Sequence, residues 1–118
     1  LLPLADRTDG MSVSAEQIDA ARDLFSGLGD ITTRKMMGGL CLYHEGTIFA
    51  ILMADGGLFL KGQGAFVAEL ETAGCRQWSY QHKGRDRLTR MAYWTMPEEA
   101  VDDPDLACDW ARRALAHL

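Results

Sequence analysis

Three cysteines are the residues of this chain best suited to metal or nucleophilic chemistry, and they stand at Cys41, Cys75 and Cys108. Cys41 and His44 have the spacing C-x-x-H, which would require both side chains on one side of the backbone to hold a metal. Residues three apart on a β-strand point to opposite faces, and the chain offers no second ligand pair. The pattern predicts no metal site and no bound cofactor. An odd cysteine count without CxxC predicts reduced thiols in a cytoplasmic protein.

The other candidate catalytic groups are scattered along the chain. No serine lies in a G-x-S-x-G elbow, and His82 has no identifiable serine or cysteine partner. The glycine pair at 38–39 leads into an apolar strand pattern, which predicts a bend or bulge instead of a phosphate loop. The acidic run at 102–105 precedes a helix pattern, where helix capping and the helix dipole explain it. These residues predict a protein that is not an enzyme.

Basic residues cluster on or beside the connection between two predicted strands near the C-terminus. A polar connection on a rigid scaffold often carries recognition, and Arg, Tyr and Trp are enriched at binding hot spots. The sequence therefore predicts a partner-binding surface made of Lys83, Arg85, Arg87, Arg90, Tyr93 and Trp94. The simpler alternative is a solvated turn whose cations pair with the acidic C-terminal segment, with Trp94 in the core.

Charge and composition narrow the possible partners. The net charge of -5 and the isoelectric point near 5.0 oppose attraction to a polyanion, so nucleic acid is an unlikely partner even though a basic, aromatic hairpin suits single strands. No apolar run reaches the roughly 18–20 residues that a membrane span needs. At 118 residues the chain predicts one domain. Residues 1–10 lack periodicity and a signal-peptide pattern, so they predict a disordered leader or a misplaced start before a domain over residues 11–118.

Helical and strand periodicities give the order of elements. Ser14 and Gln17 form a capping box that starts a first helix, and Gly29 ends it. A strand over Ile31–Met37 follows, and then three apolar runs separated by Gly-containing turns predict a meander of Leu40–His44, Thr47–Met53 and Leu58–Lys61.

The second half of the chain predicts two helices around one hairpin. A short helix over Ala65–Ala73 precedes strands over Gln77–His82 and Leu88–Thr95. A last helix starts at Asp103-Pro104, with Asp as cap and Pro in the first turn. The order α-β-β-β-(β)-α-β-β-α predicts an α+β domain with a mainly antiparallel sheet of five or six strands and packed helices.

The segment RKMMGGLCLYHEGTIFAILMADGGLFLK, together with the later Tyr93-Trp94 and MPEE motifs, resembles the N-terminal domain of the TfoX/Sxy family, whose best-known members regulate bacterial competence. Cys41 and Met37 depart from the family, which more often has Gly and Phe there. The resemblance covers the chain from Met11 onward. It implies a fold similar to type III secretion chaperones and a regulatory role. Longer members carry a further C-terminal domain, so the competence role itself is not transferred.

Two classes of function remain from the sequence. The first is a non-enzymatic regulatory or adaptor domain that binds a protein, with a homodimer as one form of that partnership. The second is a small-ligand binder or enzyme with a pocket between sheet and helices, for which convergent polar groups in a concave apolar site would be the sign. A third and weaker alternative is nucleic-acid binding through the second hairpin.

Overall fold

Three α-helices and six β-strands follow one another in a computed structural model that describes residues 13–36, 38–81 and 88–118, with the side chains of 80, 81 and 88–90 excepted. In chain order these are α1 (Ala15–Leu24), β1 (Ile31–Met36), β2 (Gly39–His44), β3 (Thr47–Met53), β4 (Leu58–Lys61), α2 (Phe66–Thr72), β5 (Gln77–Gln81), β6 (Leu88–Thr95) and α3 (Pro104–Leu115). Two 3-10 turns, Ser26–Leu28 and Glu98–Ala100, precede β1 and α3. The predicted α+β class and element order are confirmed.

Local chemistry starts the helices and turns the chain between strands. Ser14 Oγ accepts from the Gln17 amide at 3.1 Å while Gln17 Oε1 accepts from the Ser14 amide at 2.8 Å, which completes the predicted capping box. Asp103 caps α3 through the amides of residues 105 and 106. Glu45 and Gly46 both have positive φ, as the tight turn between β2 and β3 requires.

All strand pairs of the sheet are antiparallel, in the order β1-β2-β3-β4-β6-β5. The first four strands lie in sequence order, as a meander does. The second hairpin then joins the sheet through β6, which pairs with β4, so β5 becomes an edge strand. Six strands are present, the larger of the two numbers predicted.

The helices in the described residues pack on one face of this sheet. Phe25 contacts Phe49 edge to face with ring centroids 5.1 Å apart, and Phe66 lies 6.0 Å from the ring of Trp110. The sheet contributes mainly leucines to the same cluster, together with Trp94. Burial of each such side chain stabilises the fold by about 1.5–3 kcal/mol, so this face holds the core.

None of the helices in the described residues is long and apolar enough to cross a bilayer. The predicted leader at residues 1–10 lies outside the described residues, so its role stays a prediction.

Candidate functional site

The face of the sheet opposite the helices is the best candidate for a functional surface. Strand alternation and register place a set of side chains on it, and we use the name open face for eight of them: Arg34, Cys41, Tyr43, Ile51, Phe59, Lys61, Trp78 and Tyr93. None of the eight belongs to the core cluster or to the partly buried apolar residues packed against that cluster. No helix of the described residues covers this face.

An aromatic cluster lies at the β4, β5 and β6 end of the open face. Trp78 on β5 lies between its two partners, with its ring 5.8 Å from Phe59 and 6.5 Å from Tyr93. Phe59 and Trp78 are half-buried, whereas Tyr93 is 9% exposed. Aromatic pairs at such separations contribute about 0.5–1.5 kcal/mol beyond their buried area. The cluster is therefore ordered by its own contacts and still presents part of two rings to solvent.

A second group of open-face side chains lies on β1 and β2: Arg34, Cys41 and Tyr43. Cys41 on β2 is 2% exposed, and Tyr43 follows two residues later on the same strand. Burial raises the pKa of Cys41, although Tyr43 and the nearby Arg34 act in the opposite direction. Burial also raises the pKa of Tyr93, and the proximity of Cys41 and Tyr43 raises it further.

These shifts do not describe a reactive centre. A catalytic cysteine needs a lowered pKa and access to its substrate, whereas the pKa of Cys41 is raised and its side chain is enclosed. Burial likewise raises the pKa of Cys75. Cys108 is buried, and its thiol lies 3.5 Å from the carbonyl oxygen of Leu24. The three thiols pack as small apolar side chains with weak polar contacts.

The C-x-x-H pair is split between the two faces of the sheet. His44 Nε2 lies 3.1 Å from the carbonyl oxygen of Leu28 on the helical side, whereas Cys41 lies on the open face. The strand alternation used to separate these side chains is thus observed. Within the described ranges, no group of three or more His, Cys, Asp or Glu side chains is placed to hold a metal ion.

The predicted partner surface on the second hairpin is only partly described. Lys83, Arg85 and Arg87 lie outside the described residues. Arg90 lies on β6 opposite Ser79, and its side chain is also outside the description.

Tyr93 and Trp94, which the sequence groups in the predicted partner surface, lie on opposite faces of the sheet, and the surface itself stays a prediction. Adjacent residues of a strand point to opposite faces, so Tyr93 lies on the open face and Trp94 lies in the core, where it is 6% exposed. Trp94 packs against Gly62 on the helical side. Of the two, Tyr93 alone lies on the side of the sheet that the helices leave uncovered.

A groove lies on the helical side of the sheet, which is where the alternative of a ligand binder or enzyme would place its pocket. It has a volume of about 480 Å³ and lies between α1, the β3–β4 turn and the segment before α3. Its lining is mostly apolar and includes Ala21, Leu24 and Leu52. Gln17 lines it too, but its side chain already bonds to the Ser14 amide and to the carbonyl oxygen of Ala54. Asp23 and Asp102 also line the groove, so its polar side chains are two carboxylates and a glutamine that is already hydrogen-bonded.

Comparison with known proteins agrees with the resemblance seen in the motifs. A family model described as the TfoX N-terminal domain matches residues 23–118. The chain belongs to this family. The DNA transformation protein TfoX1 of Aliivibrio fischeri (strain ATCC 700601 / ES114) is 31% identical over 71 residues, which is 60% of this chain. The matched part is 32% of that relative, so the chain matches about a third of its length. Membership in the TfoX N-terminal family suggests a domain similar to that of competence regulators.

Sequence reasoning missed two central members of the open face. The sequence predicts the strand that contains Phe59 but not the face of the sheet on which Phe59 lies, because residues 58 to 60 form a continuous apolar run with no alternation. Trp78 lies within the strand predicted over Gln77–His82, but the sequence does not indicate which ring it meets. The pairing of β4 with β6 brings these rings together. The one sign of the open face in the sequence is that the strand segments contain no Asp or Glu residue.

Proposed function

We propose that this domain is a non-enzymatic regulatory or adaptor module of the cytoplasm that acts by binding another protein through the open face. Membership in the TfoX N-terminal family supports a regulatory role, because a relative bears the name DNA transformation protein. That relative is about three times as long as the matched part, so its whole activity is not assigned to this chain. Three unpaired, buried cysteines suit a reducing compartment.

The aromatic cluster on the open face is the observation that carries this proposal. Phe59 and Trp78 are large, half-exposed side chains on rigid strands, and the opposite face of the same strands already supplies the core. Tyr and Trp on an ordered scaffold contribute binding area at a low cost in conformational entropy, and they dominate protein-binding hot spots. An aromatic surface that the core does not need is suited to a partner.

The open face also joins the surface predicted from the sequence to the rest of the sheet. Trp78 and Tyr93 belong to the two strands that lead into and out of the 82–87 connection. The contribution of Lys83, Arg85 and Arg87 stays a prediction.

The alternative functions receive less support from the described residues. An enzyme or ligand binder would need polar groups that converge in a cavity, and the groove beside α1 has its glutamine already engaged. A nucleic-acid surface would need a basic stripe, and among the described side chains the open face has two cations, Arg34 and Lys61.

The proposal is tested by isolating the partner and then measuring its affinity directly. Partners captured by the parent domain from its source cells are identified by mass spectrometry, purified and titrated by calorimetry. Trp78→Ala should weaken binding by about thirtyfold, the effect of a hot-spot truncation. The matched control is Val101→Ala, which removes an apolar side chain that is 48% exposed on the helical side and should leave affinity within about twofold.

Both variants are first compared with the parent by thermal unfolding, so that lost binding is not confused with lost structure. Trp78→Ala removes a half-buried ring and should still give a cooperative transition. If the purified partner binds the folded Trp78→Ala variant as tightly as the parent, the open face is not the binding surface. If Val101→Ala is the variant that loses binding, the surface lies on the helical side.

A further inference from the structure

Charge is distributed unevenly between the sheet and the rest of the domain. The chain carries a net charge of -5, yet none of its six strands contains an Asp or Glu residue. The strands instead carry Arg34, Lys35, Lys61 and Arg90. The carboxylates of the described residues all lie on helices or connecting segments. The sheet is therefore a cationic layer within an acidic protein.

Two of these cations flank the apolar centre of the open face. The register places four side chains in one row across β1 to β4: Arg34, Cys41, Ile51 and Phe59. Lys61 lies two residues further along β4, opposite Tyr93. Neither Arg34 nor Lys61 has a carboxylate partner among the described residues. Arg34 and Lys61 are separated by three strand spacings, from β1 to β4, and by an offset of two residues along β4. Their Cα atoms are therefore about 16 Å apart.

We infer that the segment which occupies the open face is an acidic amphipathic helix of a partner protein, an inference that rests on the proposed protein-binding function. Its apolar stripe covers Ile51 and the aromatic cluster, and its carboxylates pair with Arg34 and Lys61. A separation of about 16 Å corresponds to about eleven residues of helix, or three turns, so both carboxylates lie on the same side. Complementary charge fixes the orientation and speeds association.

A second copy of this domain does not fit the same surface. Two open faces brought together would oppose cations without any strand carboxylate to pair with them. Like charges enclosed in an interface disfavour that association. A nucleic acid fits less well than an acidic helix, because the half-buried apolar side chains of Ile51 and Phe59 separate the two cations, whereas a polyanion needs continuous phosphate contacts.

The test uses a designed helical peptide with a stripe of Leu and Phe and with glutamates eleven residues apart. A second peptide has lysine in place of each glutamate, and oligo(dT) serves as the nucleic-acid probe. Binding to the whole chain is followed by amide chemical-shift changes and by fluorescence quenching. The acidic peptide should shift amides of β2, β3 and β4, and its affinity should fall as salt rises.

Charge reversal on the two faces of the sheet provides the test variant and its control. The double variant Arg34→Glu with Lys61→Glu should weaken the acidic peptide about tenfold or more. Lys35→Glu is the control, since Lys35 neighbours Arg34 on β1, is exposed and points to the other face. It should change affinity by less than about twofold.

Several results would overturn the inference. Equal or tighter binding of the lysine peptide would do so, as would unchanged binding by the double variant or no binding of the acidic peptide below about 1 mM. Binding of oligo(dT) to these strands without binding of the acidic peptide would assign the surface to nucleic acid. If the purified natural partner is lost with Trp78→Ala and retained by the double charge reversal, the acidic helix is refuted while the protein-binding proposal stands.

Discussion

Gly62 is the position where one added methyl group tests the packing of the domain most directly. A Cβ there would overlap Leu70 Cδ1 and would lie 2.8 Å from Trp94 Cδ1 and 3.1 Å from Trp94 Nε1. Leu70 is fully buried and Trp94 is 6% exposed, so neither side chain has solvent to move into. We predict that Gly62→Ala is destabilising although alanine is the smallest replacement.

The magnitude follows from how firmly the backbone at this position is held. The Gly62 amide donates to the carbonyl oxygen of Ala92 at 3.0 Å, and the preceding Lys61 pairs with Tyr93. Because the strand cannot move away, the side chains must shift, and overpacking of this kind costs about 1–3 kcal/mol. Alanine restricts the unfolded chain and returns about 0.4–1 kcal/mol. The net loss should be about 1–2 kcal/mol, or a fall in Tm of roughly 4–16 °C at about 4–8 °C for each kcal/mol.

Urea unfolding followed by circular dichroism measures this free energy. The control is Gly27→Ala in the 3-10 turn before β1, where the nearest atom to a new Cβ is Cys108 Sγ at 3.1 Å. That variant should cost less by at least about 1 kcal/mol, because one thiol can adjust more easily than a packed ring. A double-mutant cycle with Leu70→Ala provides a second check. Because Leu70→Ala removes the overlapping atom, Gly62→Ala should lower the free energy of unfolding by less in that background, the difference being about 0.5 kcal/mol or more. Parent-like stability of Gly62→Ala, or strict additivity with Leu70→Ala, would refute the reasoning.

Three further outcomes are expected. Ser14→Ala should lower the free energy of unfolding by about 0.5–2 kcal/mol, because it removes the cap of α1; the same urea assay measures it, and no loss would mean that the capping box is not formed in solution. The folded state raises the pKa of Cys41, Cys75 and Tyr93, so the stability that these three groups contribute should be fully present below about pH 8.5, the ordinary thiol pKa, and should be lost as pH rises through the folded values; rising stability above pH 9 would contradict this assignment. Cys41 and Cys75 should react with a thiol reagent far more slowly in the folded than in the urea-unfolded protein, and equal rates would show that they are accessible.

Local features of the fold were predictable because their physics involves neighbouring residues. Ser14 and Gln17 are three residues apart, so the capping box could be identified without any knowledge of the tertiary structure. The turn at Glu45-Gly46 likewise depends on a glycine that tolerates positive φ. The meander of β2, β3 and β4 follows from such turns, since short connections pair consecutive strands in an antiparallel way.

Long-range features were not predictable, because they depend on which strand edges meet. β6 pairs with β4 across the whole of α2 and β5, and nothing in the pattern of β6 specifies that neighbour. Tyr93 and Trp94 were therefore grouped as one aromatic pair, although strand alternation separates them. Once Leu60 pairs with Trp94, the face of each is determined: Trp94 joins the leucines of the core, and Tyr93 joins Lys61 on the other side.

The periodicity of the sequence does not identify the open face, because the middle strands β3 and β4 carry apolar side chains on both sides of the sheet. In an antiparallel sheet with one solvated face, alternate residues should be polar, yet Ile51 and Phe59 stand between core residues on β3 and β4. Helices fill one side of these strands, so the apolar side chains on the other side do not serve the core. Arg34 and Lys61 lie on the same side and have no carboxylate partner among the described residues, so the acidic helix that we propose would supply both apolar area and negative charge to this side.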